Sequence, residues 1–189
     1  TINQKDIGDI DSLLLKLDFD ELCDIVPVRF HGDFILDNIL LRPERKNEFL
    51  VIDWREDFGG CLEIGDIYYD LAKLKHNMYL NHRNVENKLF DLVHVDSSSC
   101  LLDLKCNFIL IEQIRTLENF VSENNMDNHR VNLLMSLIWI NMAPLHEYPL
   151  STFLFNFGKY NLHKYVTEPH ERKLIAKWSE SELFCSSPR

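Results

Sequence analysis

The sequence lacks the features that mark several large classes of protein. It has no apolar run of about 18 residues, and its first thirty residues show no basic segment followed by an apolar one. We therefore expect neither a membrane span nor a signal peptide. The five cysteines are odd in number and include no CxxC pair, which argues against a disulfide framework and a zinc site. A reducing, cytoplasmic setting is the expectation.

Positive charge is also scarce. The chain has 20 Lys and Arg against 30 Asp and Glu, a formal net charge of -10, and the acidic residues are spread along its whole length. Most of such a surface repels a nucleic-acid backbone, so we expect no DNA or RNA partner. A protein of this charge that handles phosphates needs metal ions, or a basic surface supplied from elsewhere.

Two hydrolase classes find no support in the motifs. The eight histidines form no pair with metal-ligand spacing on one helix, and no GxSxG motif occurs. The apolar fraction of 46% is that of an ordinary folded globule. We predict one domain over residues 1–185 and a short tail over 186–189.

Apolar periodicity predicts a mostly helical chain with short strands. Apolar residues recur at helical spacing in six segments, which are 9–23, 66–80, 108–123, 127–142, 149–166 and 168–179. A short β-rich run, "IVPVRF", precedes residue 31. Residues 90–107 alternate about a triple serine, which predicts a hairpin, with a break between helices as the alternative.

A first hairpin is predicted around a polar constellation. The segments "NILL" at 38–41 and "FLVID" at 49–53 are separated by "RPERKNE", whose proline and charges are typical of a loop. Asp33 and Asn38 flank the start of this hairpin, and Asp53 follows its second strand. We expect all three side chains to meet at one end of it.

That residue set suits phosphoryl transfer. The reaction needs a carboxylate that orients or deprotonates the acceptor hydroxyl, and oxygen ligands for the Mg²⁺ that spans the nucleotide phosphates. Asp33, followed five residues later by Asn38 and then by Asp53, provides both.

The motifs resemble a known family. "HGD" at 31–33 with Asn38, "VIDW" at 51–54 and "GDIYYDLAKL" at 65–74 look like the aminoglycoside phosphotransferase and choline kinase family, distant relatives of protein kinases. The resemblance implies that Asp33 is the catalytic base and that Asn38 and Asp53 bind Mg²⁺ beside the donor ATP. From residue type and position we also predict that His31 braces the loop and that Asp66 and Asp70 cap or brace the following helix and loop.

A second aspartate competes for the metal. Asp57, Phe58 and Gly59 spell DFG, the metal-binding triplet of protein kinases. Asp57 lies four residues beyond the strand exit, whereas the family uses the aspartate at that exit, so we assign the metal to Asp53. We predict Asp57, Arg55 and His146 as substrate contacts.

The sequence departs from the family before residue 31. A complete member carries a β-rich nucleotide lobe there with a phosphate-binding lysine, but only thirty residues precede His31, and neither Lys5 nor Lys16 lies in a strand context. The predicted fold is α+β and mostly α, the C-terminal lobe of a protein-kinase-like phosphotransferase with a catalytic β-hairpin. We expect an N-terminal lobe or further polypeptide as a partner, without which this chain is inactive.

The resemblance implies a small-molecule substrate with a hydroxyl. The wording of "IDWREDFGG" resembles kinase-related proteins of bacterial surface-polysaccharide clusters, which favours a sugar, a sugar-linked precursor or a choline-type alcohol over an aminoglycoside. Six aromatic residues could line a pocket for a cationic amine, although ordinary packing is the simpler interpretation: Trp54, Phe58, Tyr68, Tyr69, Trp139 and Tyr148. Two rivals stay open: a non-catalytic binding or scaffold module, and a Mg²⁺-dependent phosphoester hydrolase that uses Asp33, Asp37 and Asp53.

Overall fold

Helices form the larger part of the structure, a computed structural model that describes residues 1–45, 48–106 and 108–167. Within these ranges the α-helices, in chain order, are α1 Ile10–Leu14, α2 Phe19–Cys23, α3 Ile67–Tyr79, α4 His82–Glu86, α5 Phe108–Glu123, α6 Asn128–Met142 and α7 Leu150–Thr167. Two 3-10 turns cover Leu36–Asn38 and Ala143–Leu145. None of the described helices is long and apolar enough to cross a membrane.

The strands pair in three separate antiparallel ribbons. They are β1 Pro27–Val28 with β4 Gly65–Asp66, β2 Ile39–Leu41 with β3 Phe49–Val51, and β5 Phe90–Asp96 with β6 Ser99–Leu104. Both predicted hairpins are present, and the alternative of a helix break at residues 90–107 is wrong. A mixed fold with a predominance of helix is confirmed.

The longer helices agree with the periodicity to within a residue or two. Asp66 and Asp127 cap α3 and α6, each accepting a hydrogen bond from a backbone N–H two residues further on. The helix predicted over 168–179 lies outside the described residues.

The single helix predicted over 9–23 is wrong, because two short helices occupy that segment. Asp18 has an extended backbone, and its side chain accepts the N–H of Glu21, so it starts α2 as an N-cap. Leu15 ends α1. Local side-chain capping thus overrides the apolar periodicity that runs through both helices.

The core lies where α3, α6 and α7 pack together. Its largest fully buried side chains include Tyr68 of α3, Trp139 of α6 and Phe153 of α7. A buried lysine, Lys75, joins α3 to its neighbours, because its Nζ lies 2.7 Å from Glu118 Oε1 of α5 and 2.6 Å from Asn132 Oδ1 of α6. Burial lowers the pKa of Lys75, although the carboxylate of Glu118 opposes that shift.

The start of α3 is fixed by a buried ion pair. Asp66 accepts the N–H of Val26 and of Tyr68 through Oδ1, and Arg130 Nη2 of α6 lies 3.0 Å from its Oδ2. Burial raises the pKa of Asp66 even though Arg130 opposes the shift. The guanidinium of Arg130 also donates to the carbonyls of Leu22 and Asp24. These bonds hold α3 against the segment that leads to residue 31.

Candidate active site

Helix α3 holds the loop at residues 31–33 through hydrogen bonds. The carboxylate of Asp70, one turn into that helix, accepts the N–H of His31 at 2.7 Å and of Gly32 at 2.8 Å. Burial raises the pKa of Asp70, and the two N–H donors oppose the shift. The predicted bracing role of Asp70 corresponds to this pair of bonds, and that of Asp66 to the helix cap described above.

His31 joins the loop to the hairpin. Its ring is buried, with Nε2 2.8 Å from the carbonyl of Ile52 and Nδ1 3.2 Å from the N–H of Asp33. A carbonyl can only accept and an N–H can only donate, so the proton belongs on Nε2 of a neutral ring. Both ring nitrogens are then occupied, which agrees with a structural rather than a proton-transfer role.

Gly32 is required by the geometry of the loop. Its φ is +80°, and a Cβ there would lie 2.6 Å from the Cβ of Arg55 and 2.9 Å from the ring of Phe30. Any other residue would strain the backbone and displace the chain after β3. The glycine therefore lets the loop and Arg55 approach closely.

Asn38 and the end of β3 are tied to this loop through the backbone. Asn38 Nδ2 donates to the carbonyl of Asp33 at 2.9 Å, and the carbonyl of Asn38 accepts the N–H of Ile52 at 3.0 Å. Asp53 comes directly after Ile52 and has a φ of +62°. The Asp33 backbone, Asn38 and Asp53 therefore belong to one hydrogen-bonded unit at the open end of the hairpin.

Asp33 is paired with a lysine that the sequence patterns did not reveal. Lys73 Nζ lies 2.6 Å from Asp33 Oδ1, and Arg55 Nη2 lies 3.8 Å from Oδ2. Burial raises the pKa of Asp33, but the hydrogen bond and charge of Lys73, helped by Arg55, outweigh it and hold that pKa below its usual value. Asp33 is thus a carboxylate at neutral pH. The available signal was Lys73's position in α3, three residues after Asp70 and on the same face.

A cavity of about 290 Å³ opens in front of Asp33. Its wall includes Arg55 and His146, two of the three predicted substrate contacts, together with Lys73, His76 and Trp139. Asp57, the third, is not among the lining residues. Several apolar side chains from α6, α7 and the turn between them complete the wall: Met142, Leu145, Leu150 and Leu154.

His76 is a second residue of this cavity that sequence reasoning missed. Its ring is buried, and Nδ1 contacts the carbonyl of Lys73, one helical turn earlier. Burial, together with the charge of Lys73, lowers the pKa of His76 to about 4. The ring is neutral near pH 7, with Nδ1 donating to that carbonyl and Nε2 left as an acceptor.

Within the DFG triplet, the phenylalanine makes the packing contacts. Phe58 packs edge-on against Phe30, with ring centroids 5.3 Å apart, and against Tyr69 at 5.4 Å. Asp57 is exposed and, unlike Asp53, does not follow the residue that bonds to Asn38. Of the six aromatic residues considered from the sequence, Trp139 lines the cavity, and Tyr68 is wholly buried in the core.

Asn38 and Asp53 fit a magnesium ion bound beside a nucleotide. The Nδ2 of Asn38 is committed to Asp33, which leaves Oδ1 as the ligand atom, and Asp53 adds one carboxylate. Mg²⁺ in nucleotide sites takes one or two such ligands, and phosphate oxygens and water fill its other positions. No group of three or more His, Cys, Asp or Glu side chains able to hold a metal occurs in the described ranges.

Asp37 lies apart from this unit. Its Oδ2 is 3.1 Å from Nδ1 of His82 and 3.5 Å from Nδ2 of Asn77. Both partners belong to the α3–α4 side of the cavity rather than to the hairpin. The structure therefore does not assemble Asp37 with Asp33 and Asp53 as the hydrolase alternative requires.

Comparison with known proteins identifies this region. Residues 7–87 match the family model APH, the phosphotransferase enzyme family. The match covers the loop, both ribbons that flank it and helices α3 and α4, and it confirms the resemblance to the aminoglycoside phosphotransferase and choline kinase family. His146 and Trp139 lie outside the matched range. No curated protein and no solved structure matched the chain.

Proposed function

We propose that this chain catalyses ATP- and Mg²⁺-dependent transfer of a phosphoryl group to the hydroxyl of a small molecule. Its residues 7–87 match the model of the phosphotransferase enzyme family. The observation that carries this proposal is the position of Asp33. Its ionised carboxylate lies at the wall of a cavity, and its backbone is joined to Asn38 and through it to the strand that ends at Asp53.

Asp33 acts on the acceptor through one of its two oxygens. Oδ1 is engaged by Lys73 at 2.6 Å, while Arg55 lies 3.8 Å from Oδ2. Oδ2 is therefore the atom that accepts the hydrogen bond of the acceptor hydroxyl, orients it and takes its proton. Lys73 holds the carboxylate in place and keeps it ionised between turnovers.

Asn38 Oδ1 and the carboxylate of Asp53 would hold Mg²⁺ on the hairpin side of the site. The ion, when bound, neutralises charge on the nucleotide phosphates and on the transferred group. The contribution of the chain is to fix these two ligands through Asp33 and Ile52, so that donor and acceptor meet at Asp33.

A further polypeptide supplies the other wall of the nucleotide site in this proposal. The hairpin and the segment after it expose a band of large apolar side chains, which are Leu40, Leu41, Phe49, Leu50, Trp54, Leu62 and Ile64. Exposure of so many large apolar side chains in one region favours an interaction site. An N-terminal lobe lying over it would bury the band and bring basic groups to the nucleotide phosphates.

From the sequence motifs, the proposed acceptor is a sugar, a sugar-linked precursor or a choline-type alcohol, in surface-polysaccharide biosynthesis. All three present a hydroxyl, and a cavity of about 290 Å³ accommodates a molecule of a few carbon atoms or a single ring. The three kinds of acceptor differ in charge, and the charged residues of the cavity wall can discriminate between them on that basis.

Phosphoryl transfer from ATP in the presence of Mg²⁺ tests this function, on this chain and on the longest polypeptide that carries it. We expect Asp33→Asn to lower kcat by about a hundredfold or more, because a general base contributes about that much. Asp37→Asn is the matched control, since it removes a neighbouring carboxylate that lies apart from the hairpin, and it should leave kcat close to that of the parent.

The two rivals predict other results. A hydrolase would release inorganic phosphate from a phosphoester without nucleotide and would lose activity in both variants. A scaffold module would show no turnover in either polypeptide. Near-normal turnover of Asp33→Asn would contradict the assignment of the base.

A further inference from the structure

The charge of the cavity wall defines the acceptor more narrowly than the sequence does, provided that the cavity is the acceptor site of the proposed function. Among the described lining residues, Asp33 is the single carboxylate, and Arg55 and Lys73 are the cations. Asp33 is already paired with Lys73. An ammonium group in this cavity would find no free carboxylate and would be repelled by Arg55.

The oxygen acceptors of the wall are committed to the protein itself. The Oδ1 of Asn77 accepts the N–H of Leu36 at 3.0 Å, and the Oδ1 of Asn81 accepts the N–H of Asn84 at 2.9 Å. The neutral His76 ring offers an acceptor nitrogen, which can bond a hydroxyl but carries no charge to pair with a cation. Asp37, a carboxylate whose partners Asn77 and His82 line the cavity, is engaged by both of them.

Hydrogen-bond donors, by contrast, are left over. The indole Nε1 of Trp139 is buried and has no hydrogen-bond partner in the part of the chain that the structure describes. The side chain of Arg55 is 63% exposed, and its one charged neighbour is 3.8 Å away. His146 adds an imidazole to the same wall. The Trp139 Nε1 atom is itself shielded from solvent, so the donors that a bound molecule can reach are those of Arg55 and His146.

The aromatic residues that line the cavity also argue against a cationic acceptor. A choline-type group is bound within an aromatic cage, whose ring faces surround the cation. Apart from the histidines, Trp139 is the one aromatic residue of the described lining, and its ring is packed against Tyr79 and Phe157 with centroids 5.8 and 4.6 Å away. Its faces are therefore used by the core.

We propose that the acceptor is an anionic polyol, which presents a hydroxyl to Asp33 and places a phosphate or carboxylate group against Arg55 and His146. Both anionic groups offer the oxygen acceptors that these donors require. The cavity thereby disfavours choline-type alcohols and polycationic aminoglycosides and admits a phosphorylated or acidic sugar.

The test is a binding titration with four three-carbon probes that share a diol and differ at one end: glycerol 3-phosphate, glycerate, glycerol and 3-amino-1,2-propanediol. Histidine ring resonances of the chain are followed by NMR without nucleotide. We expect the phosphate or the carboxylate to bind about tenfold or more tightly than glycerol, and the aminodiol to bind more weakly than glycerol. The order of the two anions identifies which group the site prefers.

Variants locate the bound anion. Arg55→Gln and His146→Gln should each remove most of the preference for the anion, whereas Arg83→Gln, which deletes an equal charge from exposed α4, should retain it. Equal affinity for the four probes, tightest binding of the aminodiol, absence of binding by all four, or loss of the preference in Arg83→Gln would overturn the inference. The titration contains no nucleotide, so its result does not depend on the phosphoryl-transfer assay. Anion binding here, combined with no transfer by the longest polypeptide in that assay, would reject the proposed function and keep the site.

Discussion

At the scale of single residues, the central contact is the pair formed by Asp33 and Lys73. Lys73 lowers the pKa of Asp33, the proposed base, so its removal should raise that pKa. A general base works only when it is ionised, and the activity of a Lys73→Met variant should therefore begin at a higher pH. The acid limb of the kcat profile should shift to higher pH.

Two measurements check this prediction. The pH profile of phosphoryl transfer gives the shift, and ¹³C NMR of the Asp33 carboxyl gives the pKa without any turnover. Lys105→Met is the matched control, because Lys105 forms an ion pair with Asp91 at 2.7 Å on an exposed ribbon. An unchanged carboxyl pKa in Lys73→Met would show that Lys73 does not hold Asp33 ionised.

Sequence reasoning identified the residues that are close together along the chain and missed those that the fold brings in. Asp33, Asn38 and Asp53 are separated by fixed spacings that the hairpin preserves. Lys73 and His76 reach the cavity because Asp70 bonds helix α3 to the loop at residues 31–33. The two hydrogen bonds join residues that are separated by 39 and 38 positions along the chain. Such a contact leaves no periodic signal in a single sequence.

At the scale of elements, the close approach of α6 and α7 depends on one glycine. A Cβ on Gly158 would lie 2.7 Å from Cγ1 of Ile140 and 2.8 Å from the carbonyl oxygen of Ser136. The backbone oxygen cannot move without disturbing α6. Gly158 is thus the residue that allows α7 to pack on the helix that carries Trp139.

Gly158→Ala should therefore destabilise the protein by about 1–3 kcal/mol, as overpacking of a core does. Helix propensity alone predicts the opposite sign, because it favours Ala over Gly by about 1 kcal/mol in an open helix. Urea unfolding measures the difference, with Lys159→Ala as the control on the next residue of α7. A Gly158→Ala variant more stable than the parent would contradict this packing.

The elements themselves were predictable where periodicity and caps agree. Helices α5, α6 and α7 begin and end close to the expected residues, and both hairpins form. The segment 9–23 was predicted wrongly because its apolar spacing continues across a cap. The sequence does contain the corrective signal, since Asp18 followed by Glu21 is typical of a helix start.

At the scale of the whole molecule, charge is distributed unevenly. The chain is strongly acidic, yet the described wall of the cavity carries two cations and one carboxylate. The apolar band belongs to the β2–β3 hairpin and the segment after it, and the same hairpin is flanked by Asn38 and Asp53. In the proposed reaction the cavity receives the acceptor, and the hairpin side receives the donor.

The measurement that tests this account most directly is ATP binding by calorimetry with and without Mg²⁺, on this chain and on the longest polypeptide that carries it. We expect binding that requires Mg²⁺ in at least the longer polypeptide, because metal ligands on the hairpin are the contribution that we propose for this chain to a nucleotide site. Asp53→Ala should weaken it by about tenfold or more, and Asp57→Ala should not. Binding that does not depend on Mg²⁺, a loss caused by Asp57→Ala instead, or no binding by either polypeptide would contradict the account.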